Sequence, residues 1–444
     1  MRNLFFIGIF LSMFSLGLAY PFVAGLTYIW IDIVKPQDHV YSAFSGLPLS
    51  MIAAVIAVIA FLFNTDKKNV RFTPVMWLIV LFALWITLTT YLADPRLDAW
   101  TKWDWAFKAL AFTVFMPLVF RTRLQIEALL LTIVFAVTTT TFSAAIKTLL
   151  GSGGYGTLAI LGGGNIGLGE SSTLATVCVM ILPLVHYLYN HTIIFAGKKY
   201  FKPGMILVAA SSVVTIIGTN ARTGLIAGAV LIAIYVMRSR RKTAWIVLIL
   251  IALALTQALN IAGTDWGKRM STINTYESDS SAAGRVKVWQ WTIEYAADNP
   301  LGGGFNSFKF NGIQSVDNAG QVIRYDPGVF QGKAFHNIFF EVLGEQGYFG
   351  LALYLVIMFL TFRTLGRVRL FTHADSTNAW ANELAKRLRD AQLAMLVGGC
   401  FIGIAYQAYV FYVVAIAVLL GNLVLPQKSN VFFNNSSTKP VATA

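Results

Sequence analysis

Charge is scarce in this sequence: Asp, Glu, Lys and Arg together make up 12% of its 444 residues. Soluble globular domains usually carry about 25% charged residues, so the composition excludes an ordinary soluble domain. Cysteine is scarcer still, because Cys178 and Cys400 are the only two and both lie inside apolar runs. The sequence therefore gives no sign of a disulfide framework or a cysteine-based metal site, and we predict that both thiols pack among apolar neighbours.

Apolar residues make up 57% of the chain and gather in runs of roughly 20 residues, the length that crosses a bilayer as an α-helix. We predict an all-α, polytopic membrane protein with about 12 transmembrane helices. The predicted spans are 4–34 (broken near Pro21), 46–64, 73–93, 104–120, 124–149, 171–190, 203–219, 222–237, 243–261, 336–362, 390–407 and 408–425.

The basic residues predict the orientation, since Lys and Arg collect in cytoplasmic loops. They occur in every second predicted loop and in 363–389, which predicts that both chain ends lie inside. Four segments follow from this pattern: transmembrane helices 1–9 with short loops, an outer-face loop domain, transmembrane helices 10–12 and a cytoplasmic tail. Their predicted bounds are 1–261, 262–335, 336–425 and 426–444. The excess of 34 Lys and Arg over 20 Asp and Glu is then a matter of topology, so no nucleic-acid partner is expected.

The outer-face loop is too long for a simple connection, and loops of this length usually carry function. Within it, residues 283–297 show the pattern of an amphipathic helix, which Asn299-Pro300 and the glycines at 302–304 would end.

Three cations stand at predicted outer ends of helices, where basic residues are otherwise rare: Arg222, Lys108 and Arg285. An ionisable residue at membrane depth is a candidate functional residue. The alternatives are that Lys108 extends to the lipid headgroups and that Arg285 is simply solvated.

His336 and Asn337 open the apolar stretch that begins the tenth predicted span. Phe340, Leu343, Gly347 and Gly350 follow at helical spacing, so the pattern predicts one face on which small residues allow close packing. His336 would stand above this face at the outer mouth, either as a functional group or as a buried structural histidine. Arginines bind phosphate, and a neutral imidazole can accept a proton from an alcohol. This set of side chains suits transfer from a diphosphate to a hydroxyl, and no metal site is indicated.

The stretch "HNIFFEVLGEQGYFG" resembles the outer-face motif of the O-antigen ligase family, with His336, Asn337, Gly347 and Gly350 in the matching positions. "GRVKVWQWTIEYAADNPLGGGFNSF" resembles the loop before that motif, with Arg285 in the arginine position. "NARTGLIAG" resembles the Arg-containing turn upstream, with Arg222. The N-terminal third, with "WIDIVKP", resembles O-glycosylation ligases associated with exosortase systems.

The resemblance implies a GT-C-type membrane glycosyltransferase of the Gram-negative inner membrane, with its active site and the 262–335 loop on the periplasmic side. It would transfer a glycan from undecaprenyl diphosphate to a sugar hydroxyl of lipid A–core without a metal or cofactor. His336 would act as general base, and Arg222 and Arg285 would be catalytic and hold the diphosphate. Lys108 and Asn337 would join them in binding substrate. An O-antigen polymerase, a protein O-oligosaccharyltransferase and a polysaccharide-lipid transporter are the alternatives.

Overall fold

The computed structural model describes residues 2–36, 47–63, 71–151, 158, 168–239, 280–313 and 332–426. Helices, short 3-10 turns and loops make up this part of the chain, and no strand occurs in it. Its α-helices are α1 (Arg2–Ala19), α2 (Pro21–Val34), α3 (Leu49–Phe63), α4 (Pro74–Tyr91), α5 (Ala99–Val119), α6 (Arg123–Leu149), α7 (Ser171–His191), α8 (Phe201–Gly218), α9 (Arg222–Arg238), α10 (Ser280–Asp298), α11 (Ile338–Phe371), α12 (Ala379–Gly399) and α13 (Ala408–Val424). The predicted span 243–261 and nearly all of the predicted tail 426–444 lie outside the described residues.

Several helices start where the sequence supplies a cap. The Thr73 hydroxyl accepts from the Met76 backbone N–H, and Pro74 fills the first position of α4. Thr122 and Gln125 form a reciprocal capping box at the start of α6. These side chains satisfy backbone donors that a helix start leaves without partners, which explains why the predicted bounds lie close to the observed ones.

The centre of the bundle consists of α7 and α13, which are apolar around their whole circumference. Every residue from Tyr409 to Gly421 of α13 is buried. A helix that is hydrophobic on all sides is stable only inside a bundle or a membrane, and α7 packs against α6, α8, α9 and α12. Cys178 of α7 is buried and Cys400 is half-buried, both as free thiols, as predicted.

Five of the described helices are long and apolar enough to cross a membrane, namely α4, α6, α7, α8 and α11. Shorter apolar helices occupy Ile7–Ala19, Pro21–Val34, Leu49–Phe63 and Ala408–Val424. The fold is therefore that of an all-helical membrane protein, and the number of about twelve spans stays a prediction.

The bundle has two chemically different ends. At one end, the Arg123 guanidinium lies 4.8 Å from the Trp380 ring and donates to the His191 carbonyl oxygen at 3.2 Å. Arg238 reaches Asp390 at 2.5 Å at the same end. We call this the basic end; it joins the start of α6 and α12 to the end of α7 and α9.

The opposite end is defined by the start of α11 and the end of α12. The Asn337 side-chain amide donates to the Cys400 carbonyl oxygen at 3.0 Å, which fixes the two helix ends together. We call it the His336 end.

One predicted span, 4–34, is wrong, although its break near Pro21 is confirmed. The rings of Phe10 and Trp30 lie 6.0 Å apart, which is possible only if α1 and α2 fold back on each other around Tyr20. Close packing of Gly17 on Ala24 makes this hairpin possible, since a Cβ at Gly17 would lie 2.9 Å from the Ala24 Cβ.

The hairpin also changes the predicted topology. Its tip lies at the basic end, because Phe22 packs against Phe120, which follows α5 just before α6. The end of α2 lies at the His336 end, where Tyr412 of α13 donates to Asp32 at 2.6 Å. The start of α1 is therefore at the His336 end, opposite the end of α13. Because nearly all of the tail 426–444 lies outside the described residues, the side on which each chain end lies stays a prediction.

The predicted inner segment 363–389 and the predicted span 390–407 also need correction. Helix α11 continues to Phe371, and α12 begins at Ala379 and stops at Gly399. Residues 400–407 form the loop at the His336 end. The charged residues of α12 hid its apolar face in the sequence. Arg387 and Asp390 are buried in α12, one turn apart, and their side chains lie 3.5 Å from each other.

Candidate functional site

His336 lies in the loop directly before α11, in a left-handed backbone conformation with φ 47°. Such a conformation is uncommon for a residue other than glycine, and where it occurs it must be held by its surroundings. Here the preceding residue is fixed: the Phe335 carbonyl oxygen accepts from Trp289 Nε1 of α10 at 2.8 Å, and the Phe335 ring is buried. Helix α10 therefore holds in place the backbone that leads into His336.

The predicted face from His336 to Gly350 is only partly confirmed. Helix α11 begins at Ile338, so His336 precedes the helix and does not continue its face. Asn337 is the cap of α11, because its Oδ1 accepts from the Phe339 N–H at 2.8 Å. Its Nδ2 is occupied by Cys400 as well. These bonds give Asn337 a structural role, whereas its predicted contact with substrate stays a prediction.

Two cations face His336, Arg285 of α10 and Lys333 of the same loop. Burial, followed by the charges of Arg285 and Lys333, lowers the pKa of His336 to about 4. All three effects disfavour the imidazolium, so the ring is neutral at neutral pH. The neutral imidazole can accept a proton, and the two positive charges beside it can bind an anion.

Arg285 and Lys333 lie together at the start of α10. A Cβ at Gly284 would lie 2.1 Å from Lys333 Nζ, so the absence of a side chain there lets the lysine approach the helix. The Arg285 Nε is buried without a hydrogen-bond partner among the described residues. A buried guanidinium donor without a partner is costly unless a ligand supplies the acceptor.

Arg222 is the first residue of α9 and lies at the His336 end. Helix α9 packs on α7 there, since a Cβ at Gly224 would lie 2.4 Å from the Ala175 Cβ. One residue further along α7, Thr176 contacts Gly398 near the end of α12. These contacts bring Arg222 to the same end of the bundle as His336.

Lys108, in contrast, forms its ion pair apart from His336, Arg285 and Lys333. It pairs with Asp104 one turn earlier at 2.6 Å, and the two side chains are 45% and 57% exposed. The buried cation of α5 is Lys102, which lies 2.7 Å from Glu341 and 2.8 Å from Glu345. The predicted contact of Lys108 with substrate therefore stays a prediction, and the sequence did not show that Lys102 is the buried lysine of the helix.

We call Lys102, Glu341 and Glu345 the Lys102 hub. Glu341 Oε2 also accepts from the Ala405 N–H at 2.9 Å, and Glu345 Oε1 accepts from the Asn306 N–H at 3.0 Å. The hub therefore joins α5, α11, the 400–407 loop and the loop after α10. These are the segments that surround the start of α11.

Helix α11 bends at Gly347, whose φ of 65° and ψ of −168° are not helical. The bend frees backbone carbonyl groups, and the loop after α10 satisfies two of them. The Gly303 N–H donates to Gly344 O at 3.0 Å and the Gly304 N–H donates to Glu345 O at 2.9 Å. The Tyr348 N–H, released by the same bend, donates to Pro300 O at 3.1 Å. The predicted close packing at Gly347 is confirmed, but its partner is loop backbone.

The fold and the site together define an all-helical membrane protein in which a neutral histidine and two cations lie at one end of the bundle.

Comparison with known proteins finds two families that match regions of this chain. Residues 207–355 match the family described as O-antigen ligase, and residues 1–193 match a family of unknown function. No match was found among curated proteins. The region 207–355, which contains Arg222, Arg285, Lys333 and His336, belongs to the O-antigen ligase family. The resemblance of the N-terminal third to exosortase-associated ligases stays a prediction.

Sequence analysis missed Lys333 and the Lys102 hub, although both left a signal. Lys333 stands three residues before His336, just ahead of the motif. Glu341 and Glu345 share one helix face inside an apolar run, and two buried carboxylates require a cation. A search for that cation would have led to Lys102.

Proposed function

We propose that this protein is an O-antigen ligase that transfers a glycan from undecaprenyl diphosphate to a sugar hydroxyl of lipid A–core. The observation that carries the proposal is the neutral His336 beside Arg285 and Lys333, in the region that matches the O-antigen ligase family. The family supports a glycosyltransferase-like ligase activity; the donor, the acceptor and the GT-C type are our inference.

His336 serves as the general base in this proposal. Its lowered pKa keeps the imidazole neutral, so it can take the proton of the acceptor hydroxyl as that oxygen attacks the anomeric carbon. The bond between the anomeric carbon and the diphosphate oxygen breaks in the same step, and undecaprenyl diphosphate leaves.

Arg285 and Lys333 stabilise the charge that develops on the diphosphate, and the buried Nε of Arg285 gains the acceptor that it lacks. Arg222 assists from the start of α9, where backbone N–H groups also favour an anion. These fixed cations allow the reaction to proceed without a metal ion. Lys108 has no part in the proposal, because Asp104 pairs with it on a half-exposed face.

The test is a transfer assay with the purified full chain in lipid nanodiscs, undecaprenyl-diphosphate-linked glycan and lipid A–core. We expect joined product, with a rate that EDTA leaves unchanged. His336→Ala should lower the rate by about 10²- to 10⁴-fold, the usual contribution of a general base. His373→Ala is the matched control, because His373 is exposed beyond the end of α11.

The same assay separates the alternatives. Lengthening of the donor glycan without lipid A–core would identify a polymerase, and glycan attached to an added protein would identify a protein O-oligosaccharyltransferase. Transfer at the wild-type rate by His336→Ala would remove the histidine from its role.

We further propose that the His336 end faces the periplasm and the basic end the cytoplasm of a Gram-negative inner membrane. Single cysteines at positions 298 and 375, in a chain lacking Cys178 and Cys400, test this orientation with a membrane-impermeant thiol reagent on spheroplasts. Position 298 should react and position 375 should not. A cysteine at position 2 should react as well, since the α1–α2 hairpin places it at the His336 end. Protection of position 298 would reverse the orientation.

A further inference from the structure

An open cleft of about 400 Å³ lies beside the site, between the loop after α4 and the end of α10. Asp94 and Leu92 line it from one side, and Tyr295, Asn299 and Phe310 line it from the other. The reaction proposed above uses none of these residues. The cleft is therefore a separate feature that needs its own explanation.

Aromatic rings form one wall of this cleft. The Tyr295 and Phe310 rings are inclined to each other by 29°, with centroids 6.3 Å apart, and Trp291 stacks on Tyr295 at 4.7 Å. Ring faces of this kind offer an apolar platform, and the Tyr295 hydroxyl adds a polar tip. Such a wall suits a flat ligand that has C–H groups on its face and hydroxyl groups at its edge.

Polar side chains, Asp94 on one side and Asn299 on the other, complete the lining of the cleft. The Asp94 carboxylate is held by Arg96, whose Nη2 donates at 2.6 Å and whose Nε donates at 2.9 Å. The side-chain hydrogen bond from Arg96, then the backbone one, lowers the pKa of Asp94 to about 2, so it stays an ionised acceptor. Asn299 supplies a side-chain amide, which both donates and accepts.

The floor of the cleft is glycine backbone. A Cβ at Gly303 would lie 2.2 Å from the Tyr295 hydroxyl oxygen and 2.8 Å from the Ser307 Cβ. Gly302 has a φ of 86°, a conformation that disfavours other residues. These are also the glycines that dock on the bend of α11, so the floor is rigidly joined to the site.

We propose that this cleft is a subsite for the glycan of the lipid-linked donor, several sugars away from the diphosphate. A sugar ring would stack on Tyr295 and Phe310, while its hydroxyl groups would bond to Asp94 and Asn299. Arg285 and Tyr295 stand on the same helix, ten residues apart, which is about 15 Å at 1.5 Å per residue. A glycan whose diphosphate lies at Arg285 reaches the cleft with a sugar further along its chain. The proposal rests on the proposed function.

The test compares two donors in the transfer assay, undecaprenyl diphosphate carrying one sugar and undecaprenyl diphosphate carrying several repeating units. Wild type should prefer the long donor in kcat/KM. Tyr295→Leu and Phe310→Leu should each lower that preference by about 2- to 10-fold, the usual worth of a lost aromatic contact, through a higher KM. Tyr295→Phe keeps the ring and should retain most of the preference. Ile293→Ala, a 53% exposed position on the same helix, is the control and should leave the preference unchanged.

Calorimetry with the lipid-free oligosaccharide of several repeating units keeps this proposal separate from the ligase proposal. The full chain should bind it, His336→Ala should bind it equally well, and Tyr295→Leu should bind it more weakly. Binding without any transfer would overturn the proposed function and support the subsite. Transfer with an unchanged donor preference in both leucine variants, or calorimetric binding that Tyr295→Leu does not weaken, would overturn the subsite.

Discussion

The two family-matched regions of the chain contribute differently to the site. Residues 207–355 supply His336, the cations beside it and the bend of α11. Residues 1–193 supply Asp94 to the proposed glycan subsite but none of the groups that we place at the reacting atoms. They also hold the start of α11 in place through Lys102, Trp85 and Thr89. The region of unknown function is thus a support for the region of known family.

The contacts between the two regions are specific, and they are buried or partly buried. Trp85 Nε1 donates to Gln346 O at 2.9 Å, so the N-terminal region satisfies a third carbonyl freed by the bend at Gly347. The Thr89 hydroxyl donates to Gln346 Oε1 at 2.5 Å. The side-chain amide of Asn306 donates to Leu97 O at 3.0 Å. The limit between the two sequence families is therefore not a limit between two structural units.

The largest effect that tests this comparison is expected at Lys102. Lys102→Met leaves Glu341 and Glu345 buried without their cation, and removal of one partner of a buried ion pair typically costs about 3–5 kcal/mol. We expect a large drop in the thermal unfolding midpoint in detergent, with loss of transfer because α11 shifts. Adding Glu345→Gln removes one stranded charge and should restore part of the stability.

Lys108→Met is the matched control on the same helix. Its pair with Asp104 is about half exposed, and exposed ion pairs contribute about 0–1 kcal/mol. Equal destabilisation by the two substitutions would show that the N-terminal region does not support the site through Lys102.

A smaller effect is expected for the bend, which belongs mainly to the C-terminal region. A Cβ at Gly347 would lie 2.2 Å from Pro300 O, and the backbone there is nearly exclusive to glycine. Gly347→Ala should therefore cost at least about 1–3 kcal/mol in the free energy of unfolding. It should also slow transfer, because the loop after α10 loses its contacts with the bend of α11.

Gly228→Ala controls for the change of residue type. Gly228 lies inside α9, where a Cβ would meet Val179 at 3.9 Å and no other atom of the described residues within 4 Å, so alanine should be neutral or stabilise by about 0.5–1 kcal/mol. A stable, active Gly347→Ala protein would mean that the bend is not needed to hold the site.

Helix positions and close packing were predictable from the sequence, since apolar runs, caps and small residues are local signals. The hairpin of α1 and α2 was not, because one apolar run looks the same whether it continues or folds back. The direction in which a side chain points was also not predictable. Lys102 and Lys108 are six residues apart on one helix, and only the neighbouring helices show which one is buried.

In the site, the sequence pointed to the histidine and the arginines because their motif is local, and their roles stay predictions. The residues that hold them in place could not be predicted. Asn337 looked like a substrate ligand, yet the capping of α11 and the bond to Cys400 occupy its side chain. The Lys102 hub depends on contacts between residues more than 200 positions apart in the chain.

The smallest effect concerns pH, and it separates the two regions in another way. The base in our proposal is active when neutral, and burial together with Arg285 and Lys333 lowers the pKa of His336 to about 4. The transfer rate should therefore change less than about twofold between roughly pH 8 and pH 6, and should fall only as the pH approaches the pKa and the ring becomes protonated. Arg285→Gln removes one of the charges that disfavour the imidazolium, so it should move the acidic limb of the profile to higher pH besides slowing the reaction. Lys108→Met, far from the ring in the N-terminal region, should leave the position of the limb unchanged. The measurement is the single-turnover rate against pH for the three proteins, and a wild-type limb near the ordinary histidine pKa of about 6.5 would show that His336 is not held in this environment during the reaction.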